Sequence, residues 1–149
     1  MCSRRCTLPR FSEMLSPSLA TVRLFLHVIA ASVWVGGQVV MAGLVPTARR
    51  TAPDAVQALA RAFARVAWPA FVVVVLTGVW NLMAVDVINA SGDYVGTLMV
   101  KILIAVLSGV FAVVHQGGRS KAALAVGGAL GALTSIAAMF LGVLLHAHG

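Results

Sequence analysis

Four long apolar segments constrain this chain more than any other feature of its sequence. They cover residues 19–45, 66–85, 96–115 and 122–145, and each supplies about the 20 residues that a membrane-spanning helix needs. No stretch alternates apolar and polar residues in the way that is typical of a half-buried strand. The sequence therefore predicts an all-α, up-down-up-down bundle of four transmembrane helices.

The composition excludes a water-soluble domain. The 149 residues are 60% hydrophobic and 10% charged, with a mean hydropathy of +0.99, whereas a soluble domain is about 45–50% apolar and about 25% charged. The four segments leave a polar N-terminal tail, residues 1–18, outside a single membrane domain, residues 19–149. We expect the function to take place inside this bundle or at its surface.

The positive charges predict a membrane partner and an orientation. The net charge is +7 and the pI is near 11.2, but the cations lie in the tail and loops, where they contact a lipid bilayer rather than nucleic acid. The second loop carries only Asp86 and Asp93, whereas the first and third loops carry Arg49, Arg50, Arg61, Arg65, Arg119 and Lys121. The positive-inside rule then predicts a multi-pass protein of a bacterial cytoplasmic membrane with both termini outside.

The N-terminal tail gives weaker signals. Cys2 and Cys6 form a Cys-x3-Cys pair, which alone is a weak indication of metal binding, and we expect no structural disulfide. No apolar core followed by a small-residue cleavage site is present, so a secretory signal peptide is not predicted. The three tail arginines and Arg23 oppose the predicted orientation, and a start at Met14 would leave Arg23 alone in opposing it.

Polar side chains collect at one end of the predicted bundle. In an up-down-up-down arrangement, the first and third segments begin where the second and fourth end. His27 and Lys101 therefore share one half of the bilayer with Asn81, Met83, Asp86, His146 and His148. Polar residues at membrane depth are costly and indicate function by default. His115 is expected at the opposite face.

Two stripes at seven-residue spacing are predicted to face the bundle interior. On the first segment His27, Trp34 and Met41 share a face with Gln38. Gly36 and Gly37 beside that face would let a helix or a flat ring approach closely. On the third segment the same spacing relates Lys101, Ser108 and His115.

Gly127 and Gly131 form a GxxxG pair on the fourth segment, continued by Ser135, Ala138 and Gly142. Such a face of small residues is typical of close helix packing in membranes. It could also support a homo-oligomer or contact with other membrane proteins.

Each candidate also has a purely structural interpretation. His27 could hydrogen-bond to a carbonyl or hydroxyl group of a neighbouring helix, and Lys101 could extend to the membrane surface. His146 and His148 could be solvated tail residues, and Met83 could be a packing residue. Tyr94 and Trp80 are typical of the aromatic belt at the membrane interface. The sequence offers no catalytic residue, because no serine or cysteine has a base beside it in the membrane.

Three motifs occur in order along the chain: His27-Val-Ile-Ala-Ala-Ser-Val-Trp34-Val-Gly36-Gly37, then Arg61-Ala-Phe63-Ala-Arg65-Val-Ala with Leu76-Thr77-Gly78-Val79, then Tyr94-Val-Gly96-Thr-Leu98-Met-Val-Lys101. They cover most of residues 20–116 and resemble the copper-resistance protein D (CopD) family of integral membrane proteins. The resemblance implies copper handling, by uptake or transfer, at the cytoplasmic membrane. Members of that family are often longer, with more helices or a fused domain.

The placement of His27, Trp34 and Lys101 is similar, more distantly, to the HemJ-type membrane proteins implicated in protoporphyrinogen oxidation. That resemblance implies haem b with His27 as an axial ligand and Lys101 as its functional partner. The Tyr94-Val-Gly96 entry to the third segment is closer to the copper family.

Three functional hypotheses follow. Imidazole and thioether ligands suit copper, so the leading expectation is a copper site of His27 with His146 or His148 and Met83, supported by Trp34, Gly37, Gln38, Asn81 and Tyr94. The alternative is a haem-binding oxidoreductase in which His27 is the iron ligand and Lys101 contacts a propionate. The third is a scaffold of a larger membrane complex that needs only the glycine face. Copper handling would not require an enzymatic activity.

Overall fold

A computed structural model of the chain describes residues 18–148 and contains four α-helices in that range. They are α1 (Leu19–Thr51), α2 (Ala55–Met83), α3 (Gly92–Gly117) and α4 (Lys121–His148). All four are long and apolar enough to cross a membrane, which confirms the predicted all-α, four-helix membrane protein. The tail with Cys2 and Cys6, and the predictions made for it, lie outside the described residues.

Serine side chains define three of the helix starts. The hydroxyl groups of Ser18, Ser91 and Ser120 accept hydrogen bonds from the backbone N–H groups of Thr21, Tyr94 and Ala123 at 3.2, 3.3 and 3.1 Å. Each satisfies one of the four N–H groups that a helix leaves unpaired at its start. The loop between α2 and α3 has its own contact, in which hydrogen bonds from the Asn89 side chain and backbone lower the pKa of Asp86.

Two prolines, Pro46 and Pro69, lie inside helices, and both helices extend beyond the limits of the predicted segments. The first apolar segment was expected to end at Pro46, but α1 continues to Thr51. Pro69 lies close to the start of the apolar segment 66–85, where a proline is tolerated in the first turn of a helix, but α2 begins at Ala55, so Pro69 is interior. Each proline forfeits one backbone hydrogen bond and does not end the helix, as is common in membrane helices where neighbouring helices support the backbone.

The helices pack as two hairpins, α1 with α2 and α3 with α4, joined most closely through α1 and α4. The ends of the bundle are named here after their histidines. The His27 end holds the start of α1, the end of α2, the start of α3 and the end of α4, and the His115 end holds the opposite ends. At about 1.5 Å per residue, the 33-residue α1 is about 50 Å long, which exceeds the roughly 30 Å hydrocarbon core of a bilayer.

Glycines bring α3 and α4 together. Gly127 and Gly131 are buried, and a Cβ atom at Gly127 would lie 2.9 Å from the backbone nitrogen of His115. A Cβ atom at Gly131 would lie 3.6 Å from Cβ of Phe111. The predicted role of this pair in helix packing is confirmed. Its partner within the chain is α3.

The core at the centre of the bundle is aromatic. Trp34 of α1 and Ala67 of α2 are buried, and Phe63 and Phe71 pack against them. The ring of Trp34 lies 4.5 Å from that of Phe71 and 5.7 Å from that of Trp68 between centroids. Large apolar side chains elsewhere on the helices are exposed, as expected for a surface that contacts lipid rather than water.

Candidate functional site

His27 is held by a single side chain of the neighbouring helix. Its Nδ1 atom lies 2.9 Å from Oγ1 of Thr77, which is buried. The one hydroxyl hydrogen of Thr77 is directed to the carbonyl oxygen of Val73 at 2.6 Å, so Nδ1 must donate to Thr77. The proton of neutral His27 therefore resides on Nδ1, and the lone pair on Nε2 is free to bind a ligand.

This hydrogen bond corresponds to one of the structural interpretations of His27, a bond to a hydroxyl group of a neighbouring helix. It also corresponds to the arrangement found around histidines that bind metals, whose second nitrogen donates to a fixed acceptor that orients the ring. The sequence did not single out Thr77, because a threonine in an apolar helix more often bonds only to its own backbone.

Arg23 lies one turn before His27 and has a partner on the same helix as Thr77. Its Nε atom donates to Oδ1 of Asn81 at 2.6 Å. The sequence predicted Asn81 as a supporting residue and assigned Arg23 no role in the site. The structure instead joins them, so Arg23 and His27 are both tied to α2 by neutral partners spaced one turn apart.

Lys101 points from α3 toward α4. A Cβ atom added to Gly142 would lie 3.1 Å from Nζ of Lys101, so the ammonium group lies against Gly142 of α4. Of the stripe predicted to face inward, Lys101 is partly buried and Ser108 is buried, whereas His115 is exposed.

Arg23 and Lys101 place positive charge inside the spans near the His27 end of the bundle. The chain has four acidic residues. The three that the structure describes lie at helix ends or in a loop: Asp54, Asp86 and Asp93. Asp86 and Asp93 belong to the His27 end, whereas Arg23 and Lys101 lie farther along their helices. Two cations at this depth attract an anionic group and repel an additional cation.

Trp34, Gly37 and Gln38 occupy the next turns of α1, toward the His115 end. Trp34 is 5% exposed, and a Cβ atom at Gly37 would overlap the ring of Phe63. Gln38 donates through Nε2 to the carbonyl oxygen of Trp34 at 3.1 Å. The glycine therefore serves the approach of α2, and this part of the stripe forms the helix-packing core.

The C-terminal histidines and Met83 lie farther out. Met83 is 81% exposed at the end of α2, and His146 and His148 are exposed at the end of α4. His148 lines a groove of about 410 Å³ between α3 and α4. The groove is otherwise lined by Ser91, Asp93, Tyr94, Thr97, Leu144 and Leu145. Tyr94, predicted as a supporting residue, is therefore a neighbour of His148.

Within residues 18–148, no three His, Cys, Asp or Glu side chains come together as a metal site. His27, His146 and His148 therefore do not form such a group of three in the described residues. His115 lies at the opposite end, as predicted, where its Nδ1 atom lies 2.6 Å from the carbonyl oxygen of Leu124.

The fold and the site define a class: a small multi-pass membrane protein with a histidine, an arginine and a lysine gathered in one half of its helical bundle. No family model matches the chain, and no curated protein or solved structure shows significant similarity to it.

Proposed function

We propose that this protein binds haem b in the half of the bundle near its His27 end, where Nε2 of His27 would be the iron ligand. The observation that carries the proposal is the hydrogen bond from Nδ1 of His27 to Thr77. It fixes the tautomer and leaves Nε2 unprotonated, as an iron ligand must be. The distant resemblance to HemJ-type proteins supports the same residue.

The charges around His27 favour haem over a bare metal ion. Haem carries two propionate groups, and the cationic side chains of Arg23 and Lys101 can meet these carboxylates. A copper ion would add positive charge beside two cations and would have His27 as its one imidazole ligand there. When bound, haem supplies one-electron redox chemistry. The protein's own residues hold and orient the group and neutralise its carboxylates.

Lys101 provides a test of the propionate contact. We expect Lys101→Met to weaken haem retention by on the order of tenfold or more, because a hydrogen bond to a charged group contributes about 1.5–3 kcal/mol. The measurement is the haem dissociation rate to an apo-globin acceptor in detergent. Lys121→Met is the matched control, since Lys121 lies at the His115 end. Equal dissociation rates in the two variants would contradict the contact.

Copper handling is the second candidate function. It is favoured by the nearer resemblance to the copper-resistance D family and by the exposed donors Met83, His146 and His148 at the His27 end. In this proposal the outer donors capture copper and His27 receives it, with uptake or transfer across the cytoplasmic membrane as the outcome.

The C-terminal histidines separate the two functions. If the protein handles copper, His146→Ala/His148→Ala should lower bound copper by at least half, as measured by mass spectrometry of purified protein. If it binds haem, the double variant should keep the Soret absorbance of the parent. His115→Ala, at the opposite end, is the control for losing a histidine. A well-folded parent protein with neither iron nor copper would favour the scaffold hypothesis over both.

The proposed location is a bacterial cytoplasmic membrane with both termini outside. It rests on the distribution of cations, since basic residues lie in the last turn of α1, in the first turns of α2 and around the start of α4, while the loop between α2 and α3 carries none. In this orientation the His27 end faces the outer side of the membrane.

A further inference from the structure

An exposed hydrogen bond joins α2 to α3 near the His115 end of the bundle. Nε1 of Trp68 donates to Oε1 of Gln116 at 3.0 Å. Gln116 is the last residue but one of α3, which ends at Gly117, and the loop to α4 follows directly. The bond therefore places the side of α2 that carries Trp68 next to the end of α3 and the start of this loop.

Arginines follow about one turn outward from this bond on both sides. Arg65 precedes Trp68 by three residues, and Arg61 lies one further turn along the same face of α2. Arg119 follows Gln116 by three residues, in the loop before α4. All three arginines are exposed. Because like charges one turn apart on a helix repel each other, an anion beside them is favoured.

Little negative charge offsets these arginines. Of the three acidic residues that the structure describes, Asp54 is the one at the His115 end. It precedes Arg61 by seven residues, which is about 10 Å along the helix. The same end carries six basic residues: Arg49, Arg50, Arg61, Arg65, Arg119 and Lys121. The excess of cations favours an anionic ligand from outside the chain.

The surface one turn inward from the same bond is apolar. Val72 of α2 follows Trp68 by four residues and is 52% exposed, and Val113 of α3 precedes Gln116 by three residues and is 58% exposed. A tryptophan between apolar and charged surface is typical of the boundary between a membrane and water. The arginines are therefore expected at the level of the lipid headgroups and the valines at the level of the acyl chains.

We propose that this surface binds one anionic phospholipid. Its phosphate group contacts the three arginines, whose guanidinium groups can donate paired hydrogen bonds to phosphate oxygens. Its acyl chains contact the two valines. Basic sites between membrane helices recognise anionic headgroups in this way. An acidic protein segment would match the arginines alone, whereas a lipid matches both the charged and the apolar surface. The site lies at the opposite end from His27 and does not depend on haem or copper binding.

Native mass spectrometry of the detergent-purified protein tests this site. The protein is titrated with phosphatidylglycerol and, separately, with phosphatidylcholine of the same acyl chains, so that only the headgroup differs. We expect one phosphatidylglycerol molecule to be retained in preference to phosphatidylcholine. Equal retention of the two lipids overturns the proposal. Displacement of phosphatidylglycerol by an equal concentration of inorganic phosphate or of a polyglutamate peptide also overturns it, in favour of a free anion or an acidic protein segment.

Two pairs of arginines provide matched variants. Arg61→Gln/Arg65→Gln should weaken the binding of phosphatidylglycerol by about 25-fold, since each cation near an anionic membrane surface strengthens binding roughly fivefold. Arg49→Gln/Arg50→Gln removes the same charge from the last turn of α1 and should keep the affinity of the parent protein. An equal loss of affinity in the two double variants would show that net charge alone attracts the lipid, and it would overturn the proposed site.

Discussion

Replacing His27 with alanine is expected to abolish haem binding. The purified variant should lack both the Soret band and the iron of the parent protein, because α1 offers no other imidazole and the Nε2 lone pair of His27 is the proposed ligand. The measurement is the visible absorption spectrum of detergent-purified protein, with iron and copper quantified by mass spectrometry. Far-ultraviolet circular dichroism confirms that the variant keeps its helices.

Two other outcomes of this experiment would contradict haem binding through His27. Loss of copper instead of iron in His27→Ala would move the conclusion to copper handling at the same residue. A Soret band that persists in the variant would contradict His27 as the iron ligand.

Thr77 offers a finer test of the same site. Thr77→Val keeps the shape of the side chain but removes the acceptor that orients His27. We expect binding of the metal group to weaken by about 10–100-fold, which is the usual effect of removing such a partner. Thr77→Ser, which restores a hydroxyl group, should recover most of the affinity. Thr134→Val is the control, since Thr134 bonds only to carbonyls of its own helix.

Gly127→Ala is expected to have the largest effect on stability. Its new Cβ atom would lie 2.9 Å from the backbone nitrogen and 3.1 Å from Cα of His115, and backbone atoms cannot move aside as a flexible side chain can. Overpacking of this kind costs about 1–3 kcal/mol, partly offset by the better helix propensity of alanine, about 1 kcal/mol. The measurement is thermal or denaturant unfolding in detergent.

The second glycine of the pair should behave differently. A Cβ atom at Gly131 has its nearest neighbour at 3.6 Å, which is ordinary van der Waals contact, so Gly131→Ala should be close to neutral. Gly36→Ala meets nothing within 4 Å and should be neutral or slightly stabilising. If all three variants unfold alike, the close approach of α3 and α4 at Gly127 is wrong.

The prolines and the glycine pair show which parts of the fold could be predicted from the sequence. A chain in a bilayer must pair its backbone N–H and C=O groups internally, so four long apolar segments determine four helices and their alternating direction. The same rule explains why Pro46 and Pro69 do not end their helices, since irregular backbone in a membrane would leave more N–H and C=O groups unpaired than a continued helix does. A GxxxG pattern likewise indicates close packing, but not which helix is the partner. That partner became evident as α3 only when the buried glycines were seen against His115 and Phe111.

The sequence by itself determined that His27 and Lys101 share one half of the membrane, because alternating helices bring the start of the first and third segments to the same side. It did not determine what either side chain touches. The bond of His27 to Thr77, the pairing of Arg23 with Asn81 and the placement of Lys101 against Gly142 depend on the rotation and tilt of each helix. Packing between helices decides the rotation and tilt. Successive residues of a helix are about 100° apart around its axis, so a small rotation changes which side chain faces a neighbour.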